Sequence, residues 1–268
     1  MKSRKTLFTL CIHLLILTGL SIHAEDNQQQ YEGVHFFKNH PIDVRNLAQF
    51  LPYNPTIVEA GAYEGSEAAG AAIFWPKCKI FALEPNPRAY ETLEKIVHDR
   101  QLNNIKTFNI ALNSFNGVGL FYLCHGTQGL DPSSEYSSSL LKPSPEKEID
   151  YYGPKIVVPC ITLDDWCYQN EIQSIDILKL ELEGMELQVL EASTSILKNT
   201  KSIYVRTYFN RWREGMTSYR RLFQFLRKSG FVLLSHSFRK GHEGKAIFLS
   251  REIYDGYFKH SLGLNLEN

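Results

Sequence analysis

The sequence lacks a surplus of either charge. It has 29 lysine and arginine residues against 29 aspartate and glutamate, a formal net charge of +0. Without residues 1–24, which hold Lys2, Arg4 and Lys5 and no acid, 26 bases face 29 acids, a balance of −3. Such a chain lacks the broad positive field that nucleic-acid binding draws on, so no nucleic-acid partner is expected. Metal-binding spacings are also missing. Of 5 cysteines, Cys11 lies near the amino end, and Cys78, Cys124, Cys160 and Cys167 follow no ligand pattern; no metal site is expected. A chain this long does not need disulfide staples, and most of these thiols fall in apolar, strand-like settings, so buried free cysteines are expected. A disulfide stays open for an exported chain. There is no internal repeat, no Gly-x-Gly-x-x-Gly turn for a dinucleotide pyrophosphate, and no apolar run after residue 24 long enough to cross a bilayer.

What is present is ordinary globular composition, 43% hydrophobic and 22% charged over 268 residues, enough for one α/β domain with a full core. Lys2, Arg4 and Lys5 precede an apolar run from Leu7 to Leu20, then Ser21-Ile22-His23-Ala24 and a polar stretch. This is the pattern of a secretory signal peptide cleaved near Ala24. An uncleaved anchor is the alternative, although the run is short for the ~20 residues of a full span and contains His13. The chain is therefore expected to be exported or membrane-associated, touching a membrane only through this segment. Residues 25–54 read as a lead-in with a short helix over 44–51, residues 55–251 as the core domain, and residues 252–268 as a surface tail.

Within the core domain, apolar β-branched runs at 56–59, 79–83 and 105–110 alternate with helical segments. The second helix opens on Asn86 as cap and Pro87 in the first turn, with Tyr90, Leu93 and Val97 on one face. Strand, helix, strand at this pace predicts a parallel sheet with crossover helices. Residues 125–154 are rich in Ser, Pro and Gly and have no period, as in a lid or a mobile segment. The sheet is expected to resume at 155–161 and at 175–180, IDILKL, a continuous apolar run suited to a central strand. A helix over 186–192, a strand over 202–207 and a helix capped by Thr217 or Ser218 follow. A closing antiparallel hairpin, 231–235 with 246–250, completes a mostly parallel α/β sheet.

Three constellations carry chemistry. The first is IVEAGAYEGSEA, residues 57–68, a strand running into Gly61 and Gly65 and then a helix near Ser66. Glycine permits a sharp turn and close approach of a ligand, and the helix start favours a polar or anionic group. S-adenosylmethionine has a carboxylate, an amine and a sulfonium but no phosphate, and Glu59 at the strand end suits its cationic part. A tight turn with no ligand would look the same. The second is IFALEPNPRAYETL, residues 80–93. Glu84 ends a strand one βαβ unit after the glycine turn, where an acid accepts hydrogen bonds from two ribose hydroxyls. The third is DILKLELEGMELQVLEAS, residues 176–193. It delivers Lys179, Glu181, Glu183 and Glu186 to the same sheet edge. Carboxylates this close repel, and a cation or a substrate hydroxyl would offset that cost.

The glycine turn, LEPNP, NIALNSFNGVGLFY, the serine cluster at 137–140, ITLDDW at 161–166 and KLELEGMELQVLEA occur together and in order. In these the chain resembles the FkbM family of S-adenosylmethionine-dependent methyltransferases over roughly residues 56–237. The resemblance implies a Rossmann-like class I methyltransferase fold with a seven-stranded sheet, S-adenosyl-L-methionine as cofactor, and O-methylation of a small-molecule or saccharide acceptor. It implies that Glu59, Gly61, Tyr63 and Gly65 cradle the methionine moiety, that Glu84 holds the ribose, that Ala111 borders the adenine, and that Glu181, Glu183 and Glu186 face the acceptor. Two departures stand out. The family's Asp-x-Glu-Gly is here Glu181-x-Glu183-Gly184, and one methylene moves a carboxylate by about 1 Å, enough to matter for a positioned group. Arg206 stands where relatives often carry an acid, which would select an anionic acceptor or mark lost activity. Arg211 and Arg213 nearby suggest a basic patch.

On this reading Glu181 or Glu183 positions or deprotonates the acceptor hydroxyl, Ser137–Ser139 close over the site with Ser139 at the substrate, and Trp212 is available to stack on a sugar. His125 is a second candidate base. A dehydrogenase, disfavoured by its missing glycine pattern, and a non-catalytic exported binding protein on the same scaffold remain as alternatives.

Overall fold

A computed structural model describes residues 43–126, 132–148, 151, 153–238 and 243–262. The leader and the lead-in up to residue 42 lie outside the described residues. Of the described residues, those from 43 to 254 belong to one compact unit and those from 255 to 262 to a second.

The main sheet has seven strands: β1 Thr56–Ala60, β2 Lys79–Leu83, β3 Ile105–Phe108, β7 Ile175–Leu180, β8 Thr200–Tyr208, β9 Phe231–Phe238 and β10 Glu243–Ser250. Their order is β3-β2-β1-β7-β8-β10-β9. All pairs from β3 to β8 are parallel, and β10 runs antiparallel to both β8 and β9. The strands expected at 56–59, 79–83 and 175–180 fall where the apolar runs placed them. β7 is buried at all six positions, as its unbroken apolar run requires of a strand covered on both faces. Ile57, Ile177, Leu178 and Leu180 are at most 1% exposed; each such side chain contributes roughly 1.5–3 kcal/mol relative to an exposed one.

The crossover helices follow from local sequence. α1, Ser66–Phe74, buries Ala68, Ala69, Ala71 and Ala72, so small side chains carry its contact face. α2, Pro87–Asp99, begins where Asn86 accepts the Arg88 N–H at 3.1 Å, with Pro87 in the first turn. α3, Leu163–Gln169, is capped by Thr162. α4, Glu186–Glu191, and α5, Thr194–Leu197, follow β7. α6, Tyr219–Lys228, opens at Ser218, and Gly230 beyond its end has φ +87°.

Several expectations change. The strand at 155–161 forms as β6, Lys155–Ile161, but it does not enter the main sheet. It lies in a second sheet of order β4-β6-β5, with β4 Ala111–Leu112 parallel and β5 Gly117–Tyr122 antiparallel to it. Ala111, Phe121, Leu123, Val158 and Cys160 pack as a small separate core, and that burial recruits β6 away from the larger sheet. Residues 44–49 are a 3-10 turn rather than an α-helix, with Asp43 accepting the Arg45 N–H at 2.8 Å. The segment read as a tail is helical as α7, Arg251–Leu262. The closing hairpin is longer than expected on both arms. Cys78, Cys124, Cys160 and Cys167 are free and buried.

Among the described residues no helix is long and apolar enough to cross a membrane. Among its described residues the Ser- and Pro-rich segment has no long element, yet these residues are tied down. It holds 3-10 turns at Pro132–Ser137 and Pro145–Lys147, Ser139 bridges to Tyr122, and Pro143 bridges to Arg213.

At Gly61, φ is +78° and an added Cβ would meet the backbone carbonyl of Glu181. Gly61→Ala is therefore expected to lower stability by about 2 kcal/mol or more, through left-handed strain and separation of β1 from β7. Urea denaturation would check this, and a loss under about 0.5 kcal/mol, the range of an unremarkable surface substitution, would contradict it.

Candidate active site

Strand order reverses between β1 and β7, the place where open α/β sheets form a ligand crevice at their carboxyl edge. Ala60 is in register with Leu83 on one side and Leu180 on the other. Beyond the strands the pairing continues. The N–H groups of Gly61 and Ala62 both donate to Leu83 O, at 3.0 and 3.1 Å, and Glu181 N–H donates to Ala60 O at 3.1 Å. The glycine turn, the Glu84 tip and the Glu181 tip therefore sit side by side. With Tyr63, Ala111 and Met185 they line one cleft of about 520 Å³, its open mouth included.

Both glycines are required by the fold itself. Gly61 lies against the Glu181 backbone, and a Cβ at Gly65 (φ +79°) would run into Leu93 of α2. Tyr63, between them, is a non-glycine residue at φ +50°. That uncommon conformation aims its N–H at Glu84 Oε2, 2.7 Å away, while Asn86 N–H donates to Glu84 Oε1 at 2.8 Å. Burial pushes the Glu84 carboxyl up to about 7 against the pull of these two N–H groups. Each oxygen keeps a free lone pair, the acceptor pair that a ribose diol needs. Beside it Ile110, Ala111, Leu112 and Phe121 form an apolar wall. A nucleoside with an amino-acid arm fits this combination of buried carboxylate, apolar wall and exposed turn backbone.

Behind the cleft lies an ionic seam. Glu59 pairs in register with Lys179, Lys179 with Tyr204, and Arg206 with Lys245, so the two-residue period of the strands puts these side chains on one face. Lys179 Nζ meets Glu59 at 2.8 Å and Glu67 of α1 at 3.1 Å. Lys245 Nζ is 3.1 Å from Glu181. Arg206 reaches Glu181 at 3.2 Å, Glu183 at 3.0 Å and Glu243 at 3.5 Å. Burial lowers the basicity of Lys179, but Glu59, Glu181 and Glu67 outweigh it and raise the pKa of the ammonium. Burial likewise raises Glu181, yet Lys179, Arg206 and Lys245 prevail and hold it at about 2. Glu183 goes the other way: burial pushes its carboxyl up more than Arg206 and Arg213 pull it down.

The residues singled out in the sequence thus divide. Gly61, Tyr63, Glu84, Ala111 and Glu181 line the cleft. Glu59, Gly65, Glu183, Glu186, Ser139 and Arg206 are not among its lining residues. Glu59 is turned to Lys179. Glu186 accepts the N–H groups of Leu182 at 2.9 Å and Gly184 at 3.0 Å, closing the turn before α4, and burial pushes it up to about 8. Ser139 Oγ donates to Glu183 O at 3.1 Å, while Ser138 and Leu140 face the cleft. Trp212 stacks on Tyr151, ring centroids 6.4 Å apart. The basic patch does not form. Arg206 is taken up by carboxylates, and buried Arg213 donates to the carbonyls of Leu141 and Ser137 and covers Tyr151. The carboxylate crowding read in the sequence is relieved from within, by Arg206 and Lys245 and by backbone N–H groups.

Sequence reasoning missed Lys245, Glu67 and Glu135. The first two are ordinary charges until strand register and helix packing bring them to the seam. Glu135 lies in an aperiodic segment, and no local spacing marks it.

An open parallel sheet with a closing antiparallel hairpin, a cleft at its switch point and an acid at the second strand tip together define a class I, S-adenosylmethionine-dependent methyltransferase. The chain belongs to the FkbM methyltransferase family: the family model described as "Methyltransferase FkbM domain" matches residues 59–233. Among curated proteins it is 27% identical over 204 residues to the 2-O-methyltransferase NoeI of Sinorhizobium fredii, covering 75% of this chain and 81% of that one. It is 29% identical over 181 residues to the methyltransferase sdnD of Sordaria araneosa, covering 61% and 68%. A solved structure, methyltransferase FkbM from Methylobacillus flagellatus KT, overlaps 80% of this chain and 46% of its own, with TM-score 0.49 and 13% identity.

Arg206→Ala would leave buried Glu183 without its ion-pair partner and take one of three cations from Glu181, so a loss of about 3–5 kcal/mol is expected, with part recovered by adding Glu183→Gln. Denaturant midpoints of the three chains check this; a single-variant loss below about 1 kcal/mol, the size of an exposed pair, would refute it.

Proposed function

We propose that the protein transfers the methyl group of S-adenosylmethionine to a hydroxyl oxygen of a small-molecule or saccharide acceptor. The observation that carries the reading is Glu84: a buried carboxylate at the second strand tip, held by two backbone N–H groups with one lone pair free on each oxygen, beside an apolar wall and the Gly61 turn. The name of NoeI, a 2-O-methyltransferase, supports oxygen as the acceptor atom.

When bound, the cofactor supplies a methyl group already activated on a cationic sulfur. The chain's own work is then alignment and the removal of one proton. The Gly61–Gly65 turn and Tyr63 take the amino-acid arm and Glu84 the ribose. Glu181, lining the cleft and ionised at any working pH, orients the acceptor hydroxyl by accepting its hydrogen bond. Glu183 shares the Arg206 guanidinium with Glu181. Glu183 has the raised affinity for a proton but does not line the cleft; it acts on Glu181 through that shared guanidinium, and the hydroxyl proton leaves past Glu181 to solvent. Residues 1–24 are read as an export leader or anchor that puts this activity outside the cytoplasm or at a membrane.

Two outcomes are expected. Ribose hydroxyls donate to Glu84 only when it is ionised, so calorimetric affinity for S-adenosylhomocysteine should rise as pH goes from about 6 to about 8, through the carboxyl's value of about 7. Glu84→Gln should bind weakly with no such rise, and a parallel rise in the variant would remove the ribose role. For the acceptor, Glu181→Gln should cut turnover by roughly 100-fold or more while S-adenosylhomocysteine affinity stays within about threefold. Mass spectrometry for gain of one methyl on a panel of saccharides and small hydroxylated metabolites provides the assay, and full turnover by the variant would exclude Glu181.

A further inference from the structure

Glu135 has no assigned role, yet it is a heavily bonded carboxylate at the cleft. Its side chain is 4% exposed, and three partners from two separate stretches converge on it. Asn86 Nδ2 donates to Oε2 at 2.7 Å, Arg88 Nη1 to Oε1 at 2.7 Å, and His125 Nε2 lies 2.9 Å from Oε1. It also lines the cleft together with Glu84.

Asn86 is the link between the two acids. Its backbone N–H donates to Glu84 Oε1, its side-chain oxygen accepts the Arg88 N–H, and its side-chain nitrogen donates to Glu135. Every polar group of Asn86 toward the cleft is used, and the carboxylate at one end with the N–H at the other fixes which way the amide points. Glu135 in turn anchors the segment above the cleft. Its carbonyl accepts the Ser138 hydroxyl at 2.6 Å, and Ser138 Oγ accepts the Cys124 N–H at 3.0 Å. The bonds of Asn86 and Arg88 to the Glu135 carboxylate are charge-assisted, the stronger kind.

We propose that Glu135 is a positioning residue for the methyl donor: through Asn86 its carboxylate sets the orientation of Glu84, and through Asn86, Arg88 and His125 it pins the 135–140 segment as the roof of the nucleoside half of the cleft. This rests on Glu84 holding the ribose. Glu135 does not touch the reacting atoms. It acts on the nucleoside half alone, so its loss weakens every ligand that carries the adenosine group by the same factor.

The test is calorimetric titration of the purified full chain with S-adenosylhomocysteine and with 5′-methylthioadenosine, which lacks the amino-acid arm. Glu135→Gln should bind each about tenfold or more weakly, with equal losses. Arg88→Met, removing one exposed donor, should lose about threefold. The double variant should be no weaker than Glu135→Gln alone, because both changes break one network; general destabilisation would instead add. Glu84→Ala serves as the control. If Glu84→Ala abolishes binding while Glu135→Gln binds within twofold of wild type, the positioning role falls and the ribose reading stands. If Glu84→Ala binds like wild type, the ribose reading falls and this inference with it. Should Glu135→Gln fail to fold, Arg88→Met decides, and unchanged affinity there overturns the proposal.

Discussion

Lys179 and Glu59 meet at 2.8 Å on adjacent parallel strands, and each side chain is only 3% exposed. Removing two charges from water is expensive, and the attraction offsets the cost only when the geometry is close and the remaining valences are filled. Here Glu67 from α1 and the face of Tyr204 complete the shell of the ammonium. The pair sits at the junction of β1 and β7, where strand order reverses. Three of the cleft's walls are the tips of these two strands and of β2, so the register that brings Glu59 opposite Lys179 also brings Gly61 beside Glu181 and Glu84.

Beyond that pair, the acids of the third motif divide the work by environment. Glu181 faces three cations and stays ionised; Glu183, more fully buried, holds protons more tightly. Glu186 caps the turn that carries them. Carboxylates of one type, a few residues apart, thus acquire different roles from what lies around them. Arg206 bridges the first two and makes their closeness affordable in a buried setting.

The cleft is closed by a segment with almost no regular structure. Residues 135–141 are held by hydrogen bonds to three neighbours: backbone pairing with the end of β5, and side-chain bonds to the start of α2 and the turn after β7. A roof of this kind depends on a few strong polar contacts, which is why Glu135 has consequences out of proportion to its place in the sequence.

Much of the fold was legible beforehand. Apolar periodicity marked all the main-sheet strands, Asn86-Pro87 marked the start of α2, and the Gly61–Gly65 and Glu84 tips were paired correctly from one βαβ spacing. These are local signals: side-chain period, cap chemistry and backbone freedom are properties of a few consecutive residues. The sequence could not say that β6 would leave the main sheet for β4 and β5, because a strand pattern does not name its partner. Nor could it show that Glu59 turns to Lys179 rather than to the cleft, that Arg206 is consumed by Glu181, Glu183 and Glu243, or that Glu135 gathers Asn86, Arg88 and His125. Those pairings join residues up to 120 positions apart, and a charge's partner, unlike a strand's period, exists only once the chain has closed around it.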